Sequence, residues 1–323
     1  MFGLAKNLVF TSNHLQPGGV IAAYHFIKVK TKNKNRMLIY LKKNLLVVLC
    51  IAMVFTACKK NSSDEPTTPP VTNNNKGIQL ATDAKFGSVL TDKDGKTLYF
   101  FSSDAAGTPT CTGGCEAIWP LYYSADASTD LKLNKAEVGE VTRADGRKQS
   151  TYRGYPLYYY AGDAAAGQIK GDGVSGIWFV AKPDYSLMLA NAQLTGNNIN
   201  YTSTYAVGDG KTIYLTDNKG RTLYAFAPDK NGVNTYTKSV IQEGIWPVYE
   251  SEILNVPSAI AKTDIGIITV ATINKKQLTY KGWPLYYWIS DLKRGDNNGI
   301  VIGKGPGLTW PVLQLNATVA PAP

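Results

Sequence analysis

The sequence predicts an all-β protein made of tandem antiparallel repeats, and three observations lead to this fold class. From about residue 77 to residue 315 the apolar runs have the length of strands, are rich in Tyr, Val, Thr and Trp, and are separated by Gly and Asp. No stretch in this region keeps a helical period over a dozen residues. One aromatic motif recurs four times, with its first tyrosine at positions 99, 158, 224 and 286.

Ahead of this region, residues 37–57 have the pattern of a lipoprotein signal peptide. Lys42 and Lys43 precede an apolar run, "LLVVLCIAMVFTA", that ends just before Cys58. A bilayer crossing needs about 20 apolar residues, so this run is too short for a permanent transmembrane helix. "FTAC" (55–58) is typical of a lipobox and predicts cleavage and acylation, including palmitate, at Cys58. The alternative is an ordinary secretory signal followed by an incidental cysteine.

The segments on either side of the signal have different interpretations. Residues 1–36 fit no signal pattern, so we expect a mis-assigned upstream segment and a true start at Met37. Residues 58–76 are rich in Ser, Thr, Pro and Asn and poor in apolar residues, a composition that cannot bury a core. They are predicted to form a flexible tether between the anchor and the repeats.

The charge balance and the histidines argue against two classes of function. The chain has 34 basic and 24 acidic residues, but residues 1–57 contain eight of the basic ones and no acidic one. The remaining 26 basic and 24 acidic residues give +2, with no basic patch that would indicate nucleic-acid binding. Both histidines, His14 and His25, lie in the same N-terminal segment. A catalytic triad, a Cys–His pair and a His-ligated metal are therefore not expected in the mature protein.

The four copies of the motif alternate between two kinds of repeat, here called A and B. In the A repeats, "LTDKDGKTLYFFSSD" (90–104) matches "LTDNKGRTLYAFAPD" (215–229). In the B repeats, "YRGYPLYYYAGD" (152–163) matches "YKGWPLYYWISD" (280–291). The order along the chain, A1, B1, A2, B2, indicates that an A–B pair was duplicated.

Each repeat also contains a later tryptophan, and each pair has the length of one ordinary domain. The tryptophans are Trp119, Trp178, Trp246 and Trp310. We expect repeat pair one at residues 77–190 and repeat pair two at residues 204–318. Each repeat should form a small antiparallel sheet, and the four should pack as a pseudo-symmetric sandwich or in a propeller-like arrangement.

Each motif is predicted to lie on a strand that leaves a tight turn. In the A repeats Gly95 and Gly220 can adopt the positive φ of a hairpin, and in the B repeats "RGYP" and "KGWP" turn the chain. Residues i and i+2 of a strand share a face, so each motif tyrosine and the aromatic residue two positions later should enter a core. These aromatic pairs are Tyr99 and Phe101, Tyr158 and Tyr160, Tyr224 and Phe226, and Tyr286 and Trp288.

An aspartate follows each motif tyrosine by five residues, at or just past the predicted strand end. We interpret it as a turn cap that accepts loop N–H groups or the hydroxyl of a tyrosine in its own or a neighbouring repeat. The alternative is that the four carboxylates converge on a cation, although one aspartate per repeat lacks the dense pattern of a calcium loop. The residues are Asp104, Asp163, Asp229 and Asp291.

A1 alone contains a pair of cysteines, Cys111 and Cys115. In an exported protein they predict a small-loop disulfide, and use of the pair for a soft metal or for redox chemistry is the alternative. A2 has no cysteine in the corresponding segment, residues 238–248. Chemistry common to the repeats therefore cannot depend on this pair.

The Tyr-x-aromatic-x-x-Asp motif, preceded by "LTDxxGxTLY" and followed by a "WP" segment in a chain with a lipobox, resembles a bacterial family of secreted-repeat lipoproteins with a Y-X4-D motif. The resemblance covers nearly all of residues 77–315. It implies an exported, usually membrane-anchored, β-rich protein. It implies no particular activity, because the role of these repeats is unknown.

These observations favour a non-enzymatic, lipid-anchored protein of the cell envelope with a binding or structural role and no cofactor. Its expected partners are the membrane, through the lipid on Cys58, and an envelope protein or small ligand, but not nucleic acid. Lys59 stands where an aspartate often retains lipoproteins in the inner membrane, so we expect an outer-membrane lipoprotein that faces the periplasm or the cell surface.

Two other functions remain open at this point. The cysteine pair, the many tyrosines and the repeated aspartates are compatible with an accessory to envelope electron transfer or metal handling. A carboxylate-dependent hydrolase would need two acidic residues in paired roles, and no such pair is distinguished from the turn aspartates in the sequence.

Overall fold

The structure is a computed structural model that describes residues 74–323. The predicted upstream segment (1–36), the signal peptide (37–57), Cys58 and most of the tether lie outside the described residues. From residue 74 onward, no helix combines the length and the apolar character that crossing a bilayer requires.

Strands dominate the described part of the chain, as the sequence predicts. They are β1 (Gln79–Asp83), β2 (Gly87–Thr91), β3 (Tyr99–Phe101), β4 (Val138–Thr142), β5 (Lys148–Tyr152), β6 (Tyr155–Tyr158), β7 (Trp178–Val180), β8 (Met188–Gly196), β9 (Ile199–Tyr201), β10 (Lys211–Thr216), β11 (Ile265–Val270), β12 (Lys275–Tyr280) and β13 (Trp283–Pro284). Two short α-helices, α1 (Gly114–Ile118) and α2 (Val240–Ile245), each precede a repeat tryptophan. Single 3₁₀ turns lie at Ser102–Asp104, Lys135–Glu137, Val174–Gly176, Lys262–Asp264 and Asn298–Val301.

The A and B repeats of the first pair share one sheet. Its strand order is β4-β5-β6-β3-β7, so β3 of A1 lies between two strands of B1. Tyr99 is directly opposite Tyr158 on one side and Val180 on the other, and both pairings are antiparallel. This differs from the expectation of one sheet per repeat. A three-residue strand such as β3 has too few backbone hydrogen bonds to be stable without neighbours on both sides.

The second pair repeats this arrangement, but its motif segment pairs through single bridges where the first pair has the strand β3. Its sheet has the order β11-β12-β13, and single antiparallel bridges place Tyr224 between Tyr286 and Val312. The two motif tyrosines of a pair therefore face each other across adjacent antiparallel segments in both halves of the protein. The prediction of tandem antiparallel β repeats is confirmed.

An antiparallel strand pair also precedes the motif segment of each A repeat. In the first pair, β1 and β2 join with Leu80 opposite Leu90. Ahead of A2, β8 begins within the segment expected for pair one, pairs with β10 with Leu189 opposite Leu215, and is joined to β9 by a tight turn. The turn between β8 and β9 uses Asn197 and Asn198 with positive φ, of 50° and 61°, which asparagine tolerates better than most residues.

The two pairs share a buried core. Phe100 and Tyr155 of the first pair belong to the same apolar cluster as Tyr224 and Trp246 of the second. Burial of each large ring stabilises the fold by roughly 1.5–3 kcal/mol. Arg294 adds polar contacts across the same boundary. Its guanidinium donates to the carbonyl oxygen of Ala105 (2.7 Å) and lies 4.5 Å from the centre of the Tyr155 ring.

Candidate functional site

In each pair, the motif tyrosine of one repeat donates a hydrogen bond to the motif aspartate of the other repeat. In the first pair, the Tyr99 hydroxyl of A1 donates to Asp163 of B1 (2.5 Å), and the Tyr158 hydroxyl of B1 donates to Asp104 of A1. The second pair makes the same two bonds, from Tyr224 to Asp291 (2.5 Å) and from Tyr286 to Asp229 (2.7 Å). Each motif therefore supplies the tyrosine donor of one bond and the aspartate acceptor of the other. We call this arrangement the tyrosine–aspartate exchange.

The strand pairing explains why the bonds cross between repeats. Tyr99 and Tyr158 are direct neighbours on antiparallel strands, so each ring extends toward the end of the other strand. The motif spacing of five residues places the aspartate just beyond that end. A tyrosine and the aspartate of its own repeat lie at opposite ends of the same short strand. The sequence left this choice open, and the structure shows the neighbouring repeat's tyrosine as the partner.

The second oxygen of each A-repeat aspartate closes a loop. Asp104 accepts hydrogen bonds from the backbone N–H (2.8 Å) and the hydroxyl (2.6 Å) of Thr110. Asp229 accepts the same two bonds from Thr235, both at 2.7 Å. Each carboxylate thus fixes the position of a loop and of a tyrosine at the same time.

The B-repeat aspartates make a related set of bonds. Asp163 accepts from the N–H of Lys170 (2.9 Å), and Asp291 accepts from the N–H of Asn298 (3.0 Å). The hydroxyl of Tyr224 in turn accepts a hydrogen bond from the N–H of Gly299 (3.1 Å). A Cβ on Gly299 would lie 2.8 Å from the rings of Tyr224 and Trp246, so the close approach of this loop requires glycine.

Burial sets the protonation behaviour of the exchange. Asp104 and Asp229 have no solvent exposure, Asp291 is 5% exposed, and Asp163 is only half-buried. Desolvation raises the pKa of Asp104 to about 6, although its bonds from Thr110 and Tyr158 act in the opposite direction. Burial likewise raises the pKa of Asp229 and of Asp291.

This burial predicts that Asp104 makes the protein more stable in mild acid. The folded-state pKa of about 6 exceeds the ordinary value of 3.8, so between these values the folded state binds the proton more tightly than the unfolded state. The contribution of Asp104 to stability is present below the lower value and is lost as the pH rises through the window, by up to about 3 kcal/mol.

Urea denaturation at about pH 4 and about pH 7 measures this contribution when wild type is compared with Asp104→Asn. Asn has no proton to bind, so the variant should lose less stability than wild type between the two pH values. Equal pH dependence of the two proteins would contradict the assignment to Asp104.

Beside the exchange, four rings pack in a row in each pair, and we call this row the ring stack. In the first pair Phe101 stacks on Trp178 (4.0 Å between centroids) and Trp178 on Trp119 (3.8 Å), and the Tyr160 ring packs on Trp119 at a tilt of 32° (4.4 Å). The aromatic residue of each motif thus packs on the tryptophan of the other repeat. The second pair has the same order, in which Trp310 stacks on Trp246 at 3.7 Å while Phe226 and Trp288 pack at a tilt on the outer sides, at 4.6 and 4.5 Å.

A second kind of tyrosine–aspartate bond repeats in both pairs and was not predicted. Tyr159 donates to Asp92 (2.9 Å), and Tyr287 donates to Asp217 (2.8 Å). Each tyrosine directly follows a B-repeat motif tyrosine, and each aspartate begins the A-repeat hairpin. Both residues of each bond lie in segments that match between the repeats, "LTD" and "LYY", but the sequence does not show that these segments are in contact.

The cysteines of A1 form a disulfide with their Cα atoms 5.3 Å apart. Cys111 is buried beside Trp119 and Trp178. In A2 the corresponding residue is Tyr236, because it directly follows the loop threonine Thr235 as Cys111 follows Thr110. Its ring lies 4.8 Å from Trp310. The same place beside the ring stack is therefore occupied by the disulfide in the first pair and by the ring of Tyr236 in the second.

The four motif aspartates are each joined to a tyrosine rather than to one another. Within residues 74–323, no group of three or more His, Cys, Asp or Glu side chains is placed to hold a metal ion.

Comparison with known proteins gives one match. A family model described as a "secreted repeat of unknown function" matches residues 81–122, 139–182 and 270–314. These segments cover the core of A1, B1 and B2, and the exchange and ring stack extend the same architecture to A2. No curated protein and no solved structure matches the chain.

Proposed function

Because the chain carries this secreted repeat of unknown function, we propose that it is a lipid-anchored protein of the cell envelope whose repeats form a rigid, non-catalytic scaffold with a binding or structural role. The lipid is attached to Cys58, and residues 59–76 are the tether between the anchor and the repeats. The scaffold is held at the outer membrane and faces the periplasm or the cell surface.

The tyrosine–aspartate exchange is the observation that carries this proposal. A carboxylate that acts as a nucleophile or a general base needs an oxygen that reaches the substrate. Both oxygens of Asp104, Asp229 and Asp291 accept hydrogen bonds inside the fold, and these side chains are buried. The most regular polar feature of the repeats is thus used to hold the repeats together.

The ring stacks support the same interpretation. The central tryptophans of the two stacks are at most 3% exposed, which leaves little of their surface to bind a ligand. Interactions with other molecules are therefore assigned to the exposed loops and to cavities outside the exchange.

Metabolic labelling with palmitate in a bacterial host tests the anchor. The wild-type chain should incorporate label and sediment with membranes, whereas Cys58→Ala should lose the label because the acylated thiol is absent. Cys50→Ala is the matched control, because Cys50 lies within the apolar run and has no role in acylation. An unlabelled, soluble wild-type protein, or retention of label by Cys58→Ala, would overturn the proposed anchor.

A further inference from the structure

The second pair contains a cavity of about 290 Å³ on the face of its motif strand opposite the ring stack. Ala225 and Ala227 lie on this face, two residues apart, while Tyr224 and Phe226 point toward the stack. Trp283, Leu313 and Ala317 complete much of the apolar lining.

The first pair has aromatic rings at the corresponding places. Phe100 directly follows Tyr99 as Ala225 follows Tyr224, and Tyr155 corresponds to Trp283 in the B-repeat turn. Tyr185 lies seven residues after its repeat tryptophan, as Ala317 does.

These first-pair rings pack together. The centroid of Phe100 is 5.2 Å from that of Tyr155 and 6.4 Å from that of Tyr185. In the second pair two of the three rings are therefore replaced by methyl groups, which accounts for the empty volume.

The walls of the cavity are held in place by contacts of their own. Trp283 donates to the carbonyl oxygen of Thr318 (2.9 Å), and Lys281 donates to that of Ala317 (3.0 Å), so the C-terminal segment is fixed over one side. On another side Tyr205 has a strained φ of 62°, and its ring packs against Gly307, where a Cβ would clash at 2.2 Å. Strain of this kind persists only where surrounding structure maintains it.

We propose that this cavity binds a small, neutral compound with a single aromatic ring. The first pair indicates the kind of ligand, because at the equivalent place the aromatic rings of Phe100 and Tyr185 pack beside that of Tyr155. An apolar cavity of about 150 Å³ is sufficient to bind benzene in another protein, so the volume here is ample. The inference adds a ligand to the proposed scaffold and rests on that proposal for its non-catalytic nature, but it does not require the lipid on Cys58.

Calorimetry and saturation-transfer NMR with p-cresol test the site in the full-length chain. Wild type should bind one equivalent with a dissociation constant of about 1 mM or tighter. Ala225→Phe and Ala317→Tyr each restore a ring found in the first pair, and each should weaken binding by at least about tenfold because the ring occupies the cavity. Ala317→Tyr is the second variant because Ala225 is fully buried, whereas Ala317 is half-buried and tolerates a larger side chain more readily.

Ala165→Phe is the matched control, because it adds the same ring at an exposed position of the first pair. It should bind p-cresol as wild type does. Absence of saturable binding to wild type, or equal binding by wild type and a folded Ala317→Tyr, would overturn the assignment. Loss of palmitate labelling at Cys58 would leave this result unchanged, so the two proposals fail separately.

Discussion

Replacing Asp229 by alanine should lower the free energy of unfolding by about 3 kcal/mol. The substitution leaves three donors without an acceptor, namely the buried hydroxyl of Tyr286 and the N–H and hydroxyl of the half-buried Thr235. An unsatisfied buried donor costs about 1–3 kcal/mol, and removal of a buried charge offsets part of the sum. Urea denaturation near pH 7 measures the loss.

Two other substitutions separate the effects of the hydrogen bonds, the charge and the burial of Asp229. Asp229→Asn keeps an oxygen for Thr235, and its amide can donate to the Tyr286 hydroxyl, so the loss should be about 1 kcal/mol. Asp163→Ala removes a half-buried motif aspartate from the same kind of exchange. Water can replace that carboxylate, so we again expect about 1 kcal/mol. A loss for Asp163→Ala equal to that for Asp229→Ala would contradict the role assigned to burial.

A double-mutant cycle shows whether the bond itself joins the repeats. Asp229→Ala and Tyr286→Phe remove the two ends of one bond, so their effects should be non-additive by about 1–2 kcal/mol. Asp229→Ala and Tyr158→Phe belong to different pairs, and their effects should add within about 0.5 kcal/mol. Additive effects in the first combination would mean that the exchange contributes little to the contact between A2 and B2.

The all-β class, the four repeats and the alternation of A and B could be predicted because they depend on local patterns. Strand alternation places Tyr99 and Phe101 on one face wherever the strand lies, and the tight turn at Gly95 is encoded within a few residues. The position of each aspartate at a strand end has the same local origin. These features do not depend on which strands pair.

The partners of the motif residues could not be predicted, because they depend on contacts between distant segments. The bond between Tyr99 and Asp163 requires β3 to lie between β6 and β7, and no local signal specifies that order. The stacking of Trp119 on Trp178 depends on the same pairing. The cavity was missed for another reason. Ala225 is unremarkable in the sequence and becomes informative only when its repeat equivalent, Phe100, is seen among other rings.

The largest loss of stability is expected for Trp246→Ala, at about 4 kcal/mol. Trp246 is 2% exposed and lies inside its stack, between Trp310 at 3.7 Å and Trp288 at 4.5 Å. Its removal leaves a void bounded by rings that come from both repeats, and these rings cannot close it without breaking the exchange. Thermal or urea denaturation of the variant gives the loss directly.

Trp246→Phe and Trp283→Ala are the controls for this prediction. Phenylalanine keeps one ring in the stack, so Trp246→Phe should lose about half as much stability as the alanine variant. Trp283 is the same residue type in the same pair, but it is half-buried beside the cavity, and its removal should cost about 1–2 kcal/mol. Equal losses for Trp246→Ala and Trp283→Ala would show that the stack is not the main support of the pair. In that case the structural role proposed for the repeated aromatic motif would have to be assigned to the tyrosine–aspartate exchange alone.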